Sequence, residues 1–182
     1  MELIKKLENQ VLVWVKNVPH LPAAGQKWLG QNVWWIVLVF AIIIGITILG
    51  SFFGLLVQVA LLGAPSSAYY ITGNYAALNI ITAVVSLVFS VAGGLLLALA
   101  VKPLQNMQKK GWVLLFMTLL VSALSVVVHA VLSFSVLGFI ILMLFGAIGL
   151  VINAYFIFEI HSQFGHALKP EPTVEAKKLS QP

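Results

Sequence analysis

The stretch Tyr75–Val101 reads YAALNIITAVVSLVFSVAGGLLLALAV and contains no charged residue. It exceeds the roughly 20 apolar residues that a helix needs to cross the hydrocarbon core of a bilayer. It therefore predicts a transmembrane helix. Small and polar residues recur in it at steps of three and four, which places them on one helical face. These residues are Asn79, Ala83, Ser86, Ser90 and Gly93.

The apolar stretch at 112–132 carries a second face of this kind, formed by Thr118, Ser122, Ser125 and His129. Two consecutive spans run antiparallel, so the numbers of facing residues should add up to a constant. The two stripes then predict the pairs Asn79–His129, Ala83–Ser125, Ser86–Ser122 and Ser90–Thr118. We expect these nine residues to form a helix-packing seam. Packing of small side chains without specific pairing, and a water-filled polar path, are the alternatives.

The composition also indicates a membrane protein. Of the 182 residues 8% are charged and 61% hydrophobic, and the mean hydropathy is +1.06, whereas soluble domains carry about 25% charged residues. Two further apolar stretches, at 33–62 and 136–160, are long enough to span a bilayer. We therefore predict an all-α fold, a four-transmembrane-helix bundle over 33–161.

Two flanking segments complete the predicted organisation. Residues 1–32 are expected to lie on the cytoplasmic face, beginning with an amphipathic helix whose lysines face away from an apolar arc. That helix would lie in the interface or pack on the ends of the spans. Pro19 and Pro22 would end it, and 23–31 would be a short connector. Residues 162–182, with prolines and mixed charges, are expected to be a disordered cytoplasmic tail.

The ten lysines lie in 1–32, in 102–111 and after Ile160, and the two other loops contain none. The positive-inside rule then places both termini in the cytoplasm, and we expect a multi-pass protein of the plasma membrane. Glu159 and His161 fall at the cytoplasmic end of the fourth span, where charge can reach water. The residues expected at the membrane surface are Lys5, Lys6, Trp14, Lys16, Trp28, Trp34, Trp35 and Trp112.

Several functional classes are disfavoured by missing residue types. The chain has no cysteine, no aspartate and no arginine, and no glutamate between Gln10 and Phe158. Thiol chemistry and the embedded acid of small multidrug antiporters are therefore excluded, and clustered arginine for nucleic-acid binding is missing. His129 alone cannot supply bis-histidine haem ligation. We identify no catalytic, cofactor-binding or metal-binding residues, and expect no cofactor and no nucleic-acid partner.

Three short motifs resemble a known group of proteins. They are PHLP at 19–22, KKGWVLLF at 109–116 and YFIFEIH at 155–161. In these motifs the chain resembles small, uncharacterised four-span membrane proteins of ultrasmall, reduced-genome bacteria. The resemblance implies a fold and no activity.

The leading hypothesis is a non-enzymatic accessory or scaffold component that works with the bilayer and with itself or another membrane protein. The competing hypothesis is a small oligomeric transporter or pore for a neutral or lipid-like solute, lined by the seam of the second and third spans. A third hypothesis is a membrane enzyme using His129. A sealed seam favours the first. A continuous pocket favours the second, and a polar group beside His129 in an open cleft favours the third.

Overall fold

A computed structural model describes residues 6, 10, 13, 18–61, 76–133 and 135–164. This part of the chain contains no strand and four long helices, each long and apolar enough to cross a membrane. The all-α fold with four candidate spans is thus confirmed. The helices are α1 (Ala23–Leu61), α2 (Ala76–Gln105), α3 (Lys109–Leu132) and α4 (Val136–Glu159), and a 3-10 helix follows at His161–Phe164.

The first helix begins ten residues before the predicted span, so the expected connector is helical. Its start is set by Pro22, whose carbonyl accepts a hydrogen bond from the Gln26 backbone N–H at 3.0 Å. Proline is well placed there because the first helical residues need no N–H partner. With 39 residues, α1 is about 58 Å long at 1.5 Å per residue. It therefore extends beyond a hydrocarbon core of about 30 Å or tilts within it.

The helices pack in the order of the chain. The main interfaces join α1 to α2, α2 to α3 and α3 to α4, and within the described residues α1 and α4 share no comparable interface. The 3-10 helix contacts α1, α3 and α4. A Cβ atom on Gly30 would lie 2.9 Å from Gln163 Cγ, which shows how closely this helix approaches α1. The 3-10 helix therefore packs across one end of the helix bundle.

The end of the bundle with the 3-10 helix carries Lys27, Lys102, Lys109 and Lys110, and we call it the lysine end. The end at which Ser133 and Ser135 lie is the opposite end. The buried side chains form one hydrophobic cluster, and most of them lie in the half of the bundle near the lysine end. Outward side chains of α1 and α4 in the other half are largely exposed to the surroundings. The cluster consists of Val33, Val37, Leu97, Ala100, Leu104, Trp112, Leu115, Phe116, Phe158, Ile160 and Phe164.

The turn between α2 and α3 is tight, and Gly111 permits it. The Gln108 backbone N–H donates to the Pro103 carbonyl at 2.8 Å, and Met107 adopts a positive φ of 52°. A Cβ atom on Gly111 would lie 2.7 Å from the Leu104 backbone nitrogen. Since backbone atoms cannot move aside cheaply, only glycine fits at this position.

Gly111→Ala is expected to lower the free energy of unfolding by about 1–3 kcal/mol, the usual cost of overpacking. Gly45→Ala is the matched control, because nothing lies within 4 Å of a Cβ atom there. That control should be neutral or stabilising by up to about 1 kcal/mol, since alanine favours helix more than glycine does. Thermal unfolding in detergent measures both variants. Equal midpoints would contradict the close approach.

Other sequence predictions fall on residues outside the described part. Of the predicted amphipathic helix, only Lys6, Gln10, Val13 and Val18 are described, and all four are exposed. Lys5, Trp14 and Lys16 lie outside the described residues, as does the tail from residue 165 onward. The tail was expected to begin at residue 162. Instead, Phe164 is 2% exposed in the hydrophobic cluster, so the folded part extends through the 3-10 helix.

Candidate functional site

A polar centre lies in the seam between α2 and α3, around His129. The Ser86 hydroxyl oxygen is 2.6 Å from His129 Nε2. On its other side, His129 Nδ1 is 2.8 Å from the backbone carbonyl of Ser125, one turn earlier in α3. A carbonyl oxygen can only accept, so Nδ1 carries the hydrogen. With the hydrogen on Nδ1, Nε2 of a singly protonated ring is the acceptor for the Ser86 hydroxyl.

The pairing differs from the predicted one. His129 bonds Ser86 rather than Asn79, which is exposed. The register is therefore shifted by about two helical turns of 3.6 residues each. The Leu104–Gly111 approach beside the turn belongs to the same register as Ser86–His129. Because the short connection holds the two helix ends level, it fixes the register, and the stripes of small residues follow.

The remaining predicted seam residues make fewer specific contacts. The Thr118 hydroxyl donates to the Leu114 carbonyl of its own helix at 3.0 Å. Ser122 is exposed, while Ala83, Ser90 and Gly93 are half-buried. Nothing lies within 4 Å of a Cβ atom on Gly93, whereas one on Gly94 would lie 3.1 Å from Ile44 Cγ2 of α1. Among the described seam residues, the polar link between α2 and α3 is therefore Ser86–His129.

A cavity of about 380 Å³ adjoins this centre near the opposite end. Its wall from α3 is partly polar, and its wall from α4 is apolar. No residue of α1 lines it. The lining residues are Thr82 of α2, then Ser125, Val126, His129, Leu132 and Ser133, and finally Leu142, Phe145 and Gly146 of α4.

The apolar wall is held close to α3 by Gly146. A Cβ atom on Gly146 would clash with Val126 Cγ1. The glycine thus lets α4 approach α3 directly beside the cavity, as small residues do at membrane helix interfaces. The Gly50-x-x-x-Gly54 motif of α1, by contrast, has open space around both glycines within the described structure.

A second polar centre lies at the lysine end, around Glu159. The prediction that Glu159 reaches water is wrong, because its side chain is 0% exposed. Its Oε1 accepts from His20 Nδ1 at 2.7 Å. Its Oε2 accepts from the Leu21 backbone N–H at 3.1 Å and from Gln26 Nε2 at 3.0 Å. Three hydrogen-bond partners thus satisfy this buried carboxyl group, as buried polar groups require. The side chain thus ties the end of α4 to the chain leading into α1.

Trp112 reinforces this end of the bundle. It was expected at the membrane surface, but it is 0% exposed. Its Nε1–H donates to the Ile157 carbonyl at 2.8 Å, which gives the buried indole nitrogen an acceptor. Its ring stacks on Phe116 with centroids 5.5 Å apart and meets the His161 ring edge-on at 4.6 Å. Trp28 and Trp35 are exposed, and Trp34 is half-buried.

The Ser86–His129 interaction can be measured with a double-mutant cycle. Ser86→Ala and His129→Leu should show a coupling free energy of about 0.6 kcal/mol, the average for hydrogen bonds between membrane helices. The same cycle with Asn79→Ala serves as the control and should show no coupling with His129→Leu. Unfolding in detergent supplies the free energies. Coupling to Asn79 instead of Ser86 would restore the register predicted from the sequence.

Comparison of the chain with protein-family models, curated proteins and solved structures finds no match. Function is therefore inferred from the chain itself. The four apolar helices make it a multi-pass integral membrane protein. Within the described residues, no three His, Cys, Asp or Glu side chains are grouped as a metal site requires. The exposed surface of α1, the two polar centres and the cavity are the features from which a function can be proposed.

Proposed function

We propose that this protein is a non-enzymatic accessory or scaffold component of the plasma membrane, which acts by binding another membrane protein or a second copy of itself. The observation that carries the proposal is the unpacked surface of α1. Phe53 is 62% exposed, and Gly45, Gly50 and Gly54 have open space around them. Glycines on an exposed membrane helix allow another helix to approach closely.

An enzymatic role for the Ser86–His129 pair has less support. The pair resembles a nucleophile and its base, with the Ser125 carbonyl orienting the ring. However, Ser86 lies within α2, where backbone N–H groups are engaged in helix hydrogen bonds. They cannot stabilise a developing oxyanion, which requires free, preorganised donors. The pair is better suited to linking two helices.

Transport along the seam is the alternative, and the cavity beside His129 is the observation in its favour. The cavity is lined by residues near the opposite end. At the lysine end, Leu104 and Trp112 are 0% exposed and Phe116 is 1% exposed, in one hydrophobic cluster. A solute would have to displace this packing to pass through one copy of the chain. The tight packing at the lysine end therefore favours the scaffold role.

The functional proposal can be tested with two measurements on the full chain. A photoreactive phenylalanine analogue at Phe53 of α1 should form discrete protein adducts in cell membranes. The same analogue at Phe145 of α4, which is 68% exposed, gives the comparison with the other outer helix. In addition, vesicles containing the purified protein should release an uncharged solute such as glycerol no faster than protein-free vesicles. Lipid adducts alone at both positions, or protein-dependent glycerol flux, would contradict the proposal.

We also propose that the lysine end faces the cytoplasm. Lys27, Lys102, Lys109 and Lys110 lie at this end of the described helices, and positively charged residues are retained on the cytoplasmic side. The absence of cysteine allows a clean test by single substitutions. Gln108→Cys should react with a membrane-impermeant maleimide only after permeabilisation. Ser135→Cys, in the turn at the opposite end, should react in intact cells. The reverse pattern would invert the topology.

A further inference from the structure

We propose that the cavity beside His129 binds one uncharged membrane lipid through a carbonyl oxygen of its small head group. The cavity is bounded by α2, α3 and α4, and none of its lining residues comes from α1. Because α2 and α4, which bound the cavity on two sides, share no comparable interface in the described structure, the cavity can be reached sideways from the bilayer between them. Its volume of about 380 Å³ lies in the lower part of the range of small-molecule pockets, about 300–1,000 Å³.

The Ser125 hydroxyl supplies the hydrogen-bond donor for this ligand. Since His129 Nδ1–H donates to the Ser125 carbonyl at 2.8 Å, the ring nitrogen has no lone pair to offer the hydroxyl 3.3 Å away. The hydroxyl oxygen can accept from Nδ1–H, but its own hydrogen must point elsewhere. Within the described residues, Ser125 Oγ is bonded only to His129, and Ser125 lines the cavity. A carbonyl oxygen in the cavity would accept this hydrogen.

The charge and depth of the cavity specify the rest of the ligand. No Lys, Arg, Asp or Glu lines the cavity. His129 is about 28 Å along α3 from Lys110, at 1.5 Å per residue, so the lysines cannot compensate a charged head group. Ser125 lies about 10 Å before the end of α3, at the same rise per residue. A lipid with a large or charged head group would have to bring it below the surface, at a high desolvation cost.

The apolar part of the ligand fits the wall from α4. Leu142 and Phe145 face the cavity and are also 40% and 68% exposed. They therefore connect the cavity with the surrounding acyl chains. A lipid with a carbonyl group near its head and a long apolar tail could place the first at Ser125 and the second along α4. Diacylglycerol and isoprenoid quinones share this chemistry, and the test below distinguishes them.

The experiment uses the purified full chain in phosphatidylcholine vesicles with a trace of photoreactive diacylglycerol or photoreactive prenylated benzoquinone. Labelling by one probe should saturate near one molecule per chain and map to peptides of α3 and α4. The unlabelled form of that lipid should compete, and anionic phosphatidylglycerol should not. Ser125→Ala should weaken binding about fivefold to tenfold, as expected for loss of one hydrogen bond. Ser122→Ala, on the same helix but outside the cavity lining, is the matched control.

A second variant guards against effects on folding. Thr82→Leu fills the cavity from α2 and should abolish saturable labelling, while Thr47→Leu on the exposed part of α1 should leave it intact. Saturable labelling that Ser125→Ala and Thr82→Leu both reduce, with thermal stability unchanged, supports the site. Non-saturable labelling of all variants alike would mean contact with bulk lipid only and would overturn it. Equal competition by phosphatidylglycerol would overturn the requirement for an uncharged head group.

Discussion

Trp112→Ala is expected to lower the free energy of unfolding in detergent by about 3 kcal/mol, at the low end of the range for large buried aromatic residues. The indole ring is 0% exposed and lies between Phe116, Phe158 and His161. Its loss leaves a cavity and also leaves the Ile157 carbonyl without its 2.8 Å donor. The low end is appropriate because burial against other apolar groups contributes less in a membrane than in water.

The matched control for this variant is Trp35→Ala. Trp35 is 42% exposed on α1, and its Nε1–H bonds Asn32 one turn away. Its removal should change the free energy of unfolding by less than about 0.5 kcal/mol, as for ordinary surface substitutions. Thermal midpoints followed by circular dichroism compare the two variants. A larger loss of unfolding free energy for Trp35→Ala than for Trp112→Ala would mean that packing at the lysine end does not dominate stability.

Glu159→Leu should have a comparable effect, with a loss of about 2–6 kcal/mol, because two donors lose their acceptor at about 1–3 kcal/mol each. The substitution leaves the Leu21 backbone N–H and the Gln26 amide without their acceptor. Glu159→Gln retains two possible acceptor contacts and should lose less. Gln26→Ala removes a single donor and should cost about 0.5–1.5 kcal/mol, the usual net contribution of one hydrogen bond.

The same variants show whether Glu159 stabilises only the segment before α1 or the whole helix bundle. If Glu159 ties the N-terminal segment to α4, limited proteolysis of Glu159→Leu should cut near Pro19–Pro22 before the helices unfold. The Tyr155 hydroxyl, which donates to the Pro19 carbonyl at 3.0 Å, gives a second contact to this segment. Tyr155→Phe should therefore increase cutting at the same place, to a smaller extent. Unchanged protection in Glu159→Leu would show that other contacts hold the segment.

The helices themselves were predictable from the sequence because hydrophobic length is a local property. The predicted spans at 112–132 and 136–160 differ from α3 and α4 by at most three residues at either end. The start of α1 was missed because polar and small residues before Val33 hid a helix that Pro22 can initiate. A hydrophobic span indicates how far a helix crosses the bilayer and does not indicate how far it extends beyond.

The two polar centres were harder to predict because both depend on tertiary geometry. The stripes of small residues are nearly periodic, so several registers place them face to face, and the turn at Asn106–Gln108 selects one. Glu159 is paired with His20, 139 positions away, and no local pattern reveals such a partner. Trp112 could be assigned to the surface from its neighbours alone. Its burial follows from the 3-10 helix, which closes over it.

The distance in sequence between His20 and Glu159 has a consequence during biosynthesis. The ribosome makes the residues before α1 first and the carboxylate that binds them 139 positions later. At about 5–20 residues per second, the interval is roughly 7–28 s. During that time all four hydrophobic helices are synthesised, and the His20 imidazole lacks its acceptor until Glu159 has been added. The hydrogen bonds between the segment before α1 and the end of α4 can therefore form only after α4 has been made. A chain that stops short of Glu159 lacks the carboxyl group that accepts three of them.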